Sequence, residues 1–220
     1  MFACSSVMMS AMLHSHKTIF FDWNKTLSHS QFWEHLEDPD HPNSREGAVI
    51  SNFLFNENRE LLNPWMRGEM STDDVLIKIS EKTGISFQFI RQELEHSCRN
   101  MRLVADEIVD LIQKVRSAGI QCVIATDNMD TFRTYTIPHM RLDDIFDDFL
   151  ISCELGVLKF DIDKGHKRIP FFDTYLSEHN LNYSDVVLLD DCTDDGFYHA
   201  MGFQIVQIRQ PADLIACLLQ

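Results

Sequence analysis

An aspartate that closes an apolar run can attack an electrophile or hold a cation. In "TIFFDWNKTLS" (18–28) Asp22 has that place, and Asn24 stands two residues on, where a second acid would complete a carboxylate pair. Partners for such chemistry recur along the chain. Thr126 ends "VIAT" (123–126) with a hydroxyl, Lys159 brings an ammonium within "GVLKFD" (156–161), and "LLDDCTDDG" (188–196) sets Asp190 and Asp191 just before Asp194 and Asp195. Each has an ordinary reading when taken alone: a turn residue, a helix-capping hydroxyl, a solvated lysine, an acidic loop. Carboxylates packed this densely repel one another, and a divalent cation relieves the repulsion.

Chemistry requires that these groups meet, so the elements that carry them matter. "KTIFF" (17–21) reads as a fully buried strand ending at Asp22. Residues 28–47 are polar and turn-rich, a long excursion from the core. "STDDVLIKISEKTG" (71–84) predicts a helix capped by Ser71 or Thr72 and stopped by Gly84, and "SFQFIRQELEHSC" predicts another with Phe87, Ile90 and Leu94 on one face. A strand–helix alternation follows. Helices are expected at 103–119, 129–140, 168–180, "GFYHAMG" and "ADLIACLL", and strands at 120–125, 148–152, 185–191 and 203–208. This pattern predicts an α/β fold, a Rossmann-like parallel sheet core with a helical module inserted after the first strand. Such an insert sits over the carboxyl ends of the strands, where open α/β sheets bind ligands. Asp22, Thr126 and Asp190–Asp191 all end strands, and Lys159 follows one.

The 220 residues fit one large domain or a core with a smaller module. The expected division is a leader at 1–16, a core of 17–30 and 102–220, and a small α-helical cap domain at 31–101. A net charge of −15 disfavours nucleic acid and anionic membrane surfaces as partners. The six cysteines form no CxxC pair, which fits reduced thiols and a cytoplasmic location.

In order and spacing these motifs resemble the haloacid-dehalogenase-like (HAD) hydrolase superfamily, over about residues 17–210. The family's strand–DxDGTL motif reads D-W-N-K-T-L (22–27), its strand ending in Thr or Ser reads "VIAT", its GxxKPD-like stretch reads "GVLKFD", and its acidic fourth motif reads "LLDD" with Asp195 four residues after Asp191. "AMGFQIVQI" and "WMRGEMSTDD" look like the family's closing stretch and helical cap. The resemblance implies a Mg2+-dependent phosphatase of a small phosphorylated molecule. Asp22 would be the nucleophile that forms an aspartyl-phosphate. Asp22, Asp191, Asp195, Asp190 and the Asn24 carbonyl would hold the metal. Thr126, with Asp127 and Asn128, and Lys159 would bind the phosphoryl group.

The chain departs from that pattern at Asn24, which cannot carry the proton that the family's second aspartate gives and takes. Lys25 replaces a glycine, and Phe160 replaces a proline. Two other readings follow: a HAD-fold protein that is catalytically silent and binds phosphate or a protein, and a HAD hydrolase of a C–halogen or C–P bond. Lys78 and Lys82 fit a helix surface better than the Schiff-base role of C–P cleavage. In the insert, Trp33, His35, Trp65 and Arg67 are candidates for substrate selection, with Trp65 read as core and Arg67 as a solvated helix end.

Overall fold

The computed structural model describes residues 15–194 and 196–219. Most of the expected leader lies outside that range. His16, its last residue, is buried.

Among the described residues, β1 (Thr18–Phe21), β2 (Gln121–Thr126), β3 (Asp148–Ile151), β4 (Val186–Asp190) and β5 (Gln204–Gln207) form one sheet. Every neighbouring pair is parallel, in the order β3-β2-β1-β4-β5. The first strand of the chain is thus the central one, and its four residues are all buried. Successive side chains point to opposite faces of a strand. Ile19 and Phe21 accordingly join Ile124, Val187 and Leu189 in one apolar cluster, whereas Phe20 joins Val123, Ala125 and Leu188 in another. Covered faces on both sides explain why these strands read as unbroken apolar runs.

Between β1 and β2 the chain is helical: α1 (Ser44–Asn52), α2 (Leu62–Met66), α3 (Thr72–Thr83), α4 (Phe87–Arg99) and α5 (Ile108–Ser117). Later come α6 (Ile137–Met140), α7 (Leu142–Ile145), α8 (Ser152–Leu155), α9 (Pro170–Glu178), α10 (Phe197–Ala200) and α11 (Pro211–Leu218). The expected start of α3 is present as a reciprocal capping box, with Asp74 N–H donating to Ser71 Oγ and Ser71 N–H to Asp74 Oδ2. The buried stripes of α3 (Val75, Leu76, Ile79) and α4 (Ile90, Leu94, Cys98) belong to the same apolar cluster as Ile19 and Phe21. Insert and sheet therefore share one continuous core. No helix among the described residues is long and apolar enough to cross a membrane.

Three expectations shift. The helix expected from residue 103 starts at Ile108, because Val104 N–H donates to Leu27 O (3.0 Å) and keeps the preceding stretch on the first strand's exit loop. The helix expected at 129–140 is widened at Phe132–Thr136, where Ile137 N–H reaches back to Phe132 O. Pro138, which has no N–H to continue a regular ladder, follows at once. The polar excursion ends early, since α1 begins at Ser44 and brings Gly47 hard against Leu36.

Gly68 marks a close approach of the insert to α8, just beyond β3. It has φ +69°, and a Cβ there would overlap the Cys153 carbonyl oxygen. Gly84 has φ +73° with open space around it. Gly68→Ala should lower unfolding free energy by about 2–3 kcal/mol and Gly84→Ala by only about 1 kcal/mol. Urea unfolding of the two variants side by side isolates the steric contact, and equal losses would refute it.

Candidate active site

The β1–β4 register pairs Phe21 with Leu189, and Asp22 N–H continues the ladder to Leu189 O (2.9 Å). Asp22 and Asp190 thus leave adjacent strands side by side. On the other edge of β1, Phe21 pairs with Ile124, which brings Thr126 to the same rim. Lys159 comes from the loop after α8. Its Nζ lies 2.5 Å from Asp22 Oδ1 and 2.6 Å from Asp190 Oδ2, and all three side chains are buried. Asp127 Oδ1 accepts the Lys159 N–H (2.9 Å), and the Tyr198 hydroxyl donates to the Lys159 carbonyl. Residues far apart in the chain therefore gather at the carboxyl ends of three neighbouring strands.

Charge is concentrated in little space here. Burial pushes the Asp22 carboxyl up to about 7; Lys159 opposes the shift, and Asp190 and Asp191 add to it. Burial also works against the Lys159 charge, but Asp22, Asp190 and Asp127 outweigh it and keep the ammonium protonated. Asp127 is raised, again chiefly by burial. One lysine thus faces more negative charge than it can balance.

The oxygens left over suit a hard divalent cation. Asp22 Oδ2 and the Asn24 carbonyl make no hydrogen bond among the described residues. The Asp191 carboxylate is half-buried, and its partners among the described residues are the Lys25 ammonium at 3.8 Å and the Cys192 thiol at 3.6 Å, while Gln207 Nε2 donates to the Asp191 backbone carbonyl. Oxygen donors of this kind fit Mg2+. Asp190, Asp191 and Cys192 place one ligand atom each within 4.8 Å of one another. Burial and the two carboxylates push the Cys192 thiol up to about 12, which keeps it a protonated thiol wherever no cation lies beside it. Asp190, grouped with the metal ligands on sequence grounds, accepts from the Lys159 ammonium at Oδ2 and from the Cys192 N–H at Oδ1 (2.8 Å). Asp195 lies outside the described residues. Asp194 accepts the N–H groups of Tyr198 and His199 and so anchors α10.

The Thr126 hydroxyl is buried and has no partner among the described residues, so it does not cap the segment that follows. Asn128 is buried, its N–H donating to Ser152 Oγ (2.9 Å) and its Oδ1 accepting from Met129 N–H (3.0 Å). Asn24 is exposed at the head of a tight turn closed by Lys25 N–H to Ser28 O (2.7 Å). Lys25, in the place of a glycine, has φ 61°.

In the insert, Trp33 and Trp65 are fully buried. His35 pairs with Glu93 at 2.6 Å. Arg67 is not a solvated helix end: it forms a two-pronged ion pair with Asp161. Sequence reasoning gave no role to Asp161 or Tyr198. The aspartate two residues after Lys159 was a visible signal, whereas nothing in the sequence marks the reach of the Tyr198 hydroxyl.

No family model and no curated protein matches the chain. Solved structures do. A HAD family enzyme of Bacteroides thetaiotaomicron superposes with a TM-score of 0.66 at 13% identity, over 88% of this chain and 93% of that one. An alanine variant of that enzyme, in complex with magnesium and inorganic phosphate, gives 0.62 at 13% identity over 87% and 93%. L-2-haloacid dehalogenase of Xanthobacter autotrophicus, with chloropropionic acid covalently bound, gives 0.61 at 14% identity over 88% and 77%. At such identities the likeness is one of fold: the chain has the haloacid-dehalogenase-like fold.

Proposed function

We propose that the protein is a HAD hydrolase, a Mg2+-dependent phosphatase of a small phosphorylated molecule, working through an aspartyl-phosphate at Asp22 and slowed by Asn24. The observation that carries this reading is the buried, unpartnered Thr126 hydroxyl at the strand end beside Asp22, with the Lys159 ammonium already on the carboxylate. A phosphoryl oxygen would satisfy that hydroxyl. Residues 31–101 serve as the cap over a core of 17–30 and 102–220.

Asp22 attacks phosphorus, the P–O bond to the leaving group breaks, and the departing alkoxide takes its proton from water, because Asn24 has none to give. Thr126 donates to the phosphoryl group, and Lys159 offsets the charge on it and on Asp22. Water then attacks the aspartyl-phosphate, releasing inorganic phosphate and free Asp22. Asp22, Asp191 and the Asn24 carbonyl would hold Mg2+, which when bound neutralises phosphate charge. Asp190 keeps Lys159 in place.

For a donor whose leaving group needs no proton, the absence of a base at residue 24 makes hydrolysis of the intermediate the slower half. Acetyl phosphate with Mg2+ should therefore leave one phosphoryl group on the wild-type chain, read by intact mass and mapped to Asp22. A chain that stays unmodified in both wild-type and Asp22→Asn forms would defeat the reading.

Asn24 also favours a second reading, displacement of halide from carbon, which needs no proton for its leaving group. Chloride release from 2-chloropropionate without Mg2+ would establish that reading in place of the first.

A further inference from the structure

The loop that delivers Lys159 is held from two sides. The sheet side supplies Asp127, which accepts the Lys159 N–H, and Tyr198, whose hydroxyl donates to its carbonyl. The other side belongs to the helical insert. Leu158 N–H donates to Asp161 Oδ2 (2.8 Å), and Asp161 N–H donates back to Leu158 O (3.0 Å), closing the turn that presents Lys159. The same Asp161 carboxylate receives Arg67 from the end of α2. Nε reaches Oδ2 at 3.0 Å, while Nη2 reaches Oδ1 at 2.5 Å and Oδ2 at 2.7 Å. Neighbours of Arg67 are docked as well: Ser152 Oγ donates to Met66 O (2.6 Å), and Gly68 abuts Cys153.

A half-exposed ion pair on its own contributes about 0–1 kcal/mol. The Arg67–Asp161 pair matters through what it joins. Its carboxylate is already committed to the Lys159 turn, and its guanidinium sits on the segment that seats the insert against α8. We propose that Arg67 is a positioning residue whose fork on Asp161 couples the seating of the insert to the placement of the Lys159 ammonium between Asp22 and Asp190. The effect on turnover rests on the phosphatase reading of Lys159, whereas the coupling itself does not.

The test labels the full-length protein with acetic anhydride and follows acetylation of Lys159 by peptide mass spectrometry, with no turnover required. Arg67→Met keeps the apolar stem and removes the fork. Asp161→Asn keeps an acceptor for Leu158 N–H and loses the ion pair. Each single variant should acetylate Lys159 at least tenfold faster than wild type, and the double variant no faster than either, since both remove one joint. The buried Cys98 should stay closed to iodoacetamide throughout. Unchanged Lys159 labelling, single effects that multiply in the double variant, or Cys98 opening in step with Lys159 would each overturn the coupling. Where phosphatase activity is present, kcat should fall about tenfold with KM nearly constant. Faster labelling without activity in any of the proteins would leave the coupling standing and remove the phosphatase reading.

Discussion

Asn24→Asp should raise Mg2+-dependent hydrolysis of phosphate monoesters about 10²–10⁴-fold, the usual range for a positioned acid–base group. The exchange replaces an amide by a carboxyl of the same shape at an exposed side chain that makes no hydrogen bond among the described residues. The turn beneath it is closed by backbone bonds, Lys25 N–H to Ser28 O (2.7 Å) and Ser28 N–H to Trp23 O (2.9 Å), that the exchange leaves in place. The gain should be larger for an alkyl phosphate than for 4-nitrophenyl phosphate, because an alkoxide needs a proton to depart and a nitrophenolate does not. Phosphorylated Asp22 should also become short-lived in the variant, since the new carboxylate activates water. Steady-state rates on the two substrates, with the lifetime of the modified chain, check both halves. A variant no faster than wild type on either substrate would show that proton transfer does not limit this site.

Asp22→Asn should abolish hydrolysis altogether, down to the rate without protein, and should make the fold more stable. The first follows from losing the nucleophile. The second follows from the electrostatics of the buried cluster. The Asp22 carboxyl is raised from 3.8 to about 7. Between those values the folded chain binds a proton that the unfolded chain has released, so wild-type stability falls as pH rises through that window. The variant lacks that slope, and above pH 7 it should be the more stable of the two. Lys159 keeps Asp190 as its partner in the variant, which limits the loss on the other side. Mg2+ should raise the unfolding midpoint of wild type and leave that of the variant nearly unchanged. Thermal unfolding at pH 5 and pH 8, with and without Mg2+, measures all of this. A variant less stable than wild type at pH 8 would mean that the attraction between Asp22 and Lys159 outweighs the burial of the carboxylate.

The parts of the fold that the sequence made legible are those with a strong period or a hard stop. Apolar runs ending in acids located β1 and β4, since a strand buried on both faces has no polar residue to blur it. Ser71 and Gly84 fixed α3 at both ends through capping chemistry. The start of α5 was not legible, because the bond from Val104 to Leu27 depends on a residue far away in the chain. The site was legible as residue types at strand ends. The division of labour within it was not: "DD" looks symmetric in sequence, yet burial gives Asp190 to Lys159 and leaves Asp191 half-open at the rim. Arg67 looked like an ordinary surface cation, and only folding brings Asp161 to it.

The central position of β1 bears on how the chain is made. Its two hydrogen-bonding edges are filled by β2 and by β4, and β4 leaves the ribosome long after β1 itself. At synthesis rates of ~5–20 residues per second, one side of "TIFF" stays unpaired for roughly ten to thirty seconds, an apolar edge open to any neighbouring nascent chain. Newly made protein is therefore most vulnerable to aggregation before residue 190 emerges, and chaperone dependence should drop once it has.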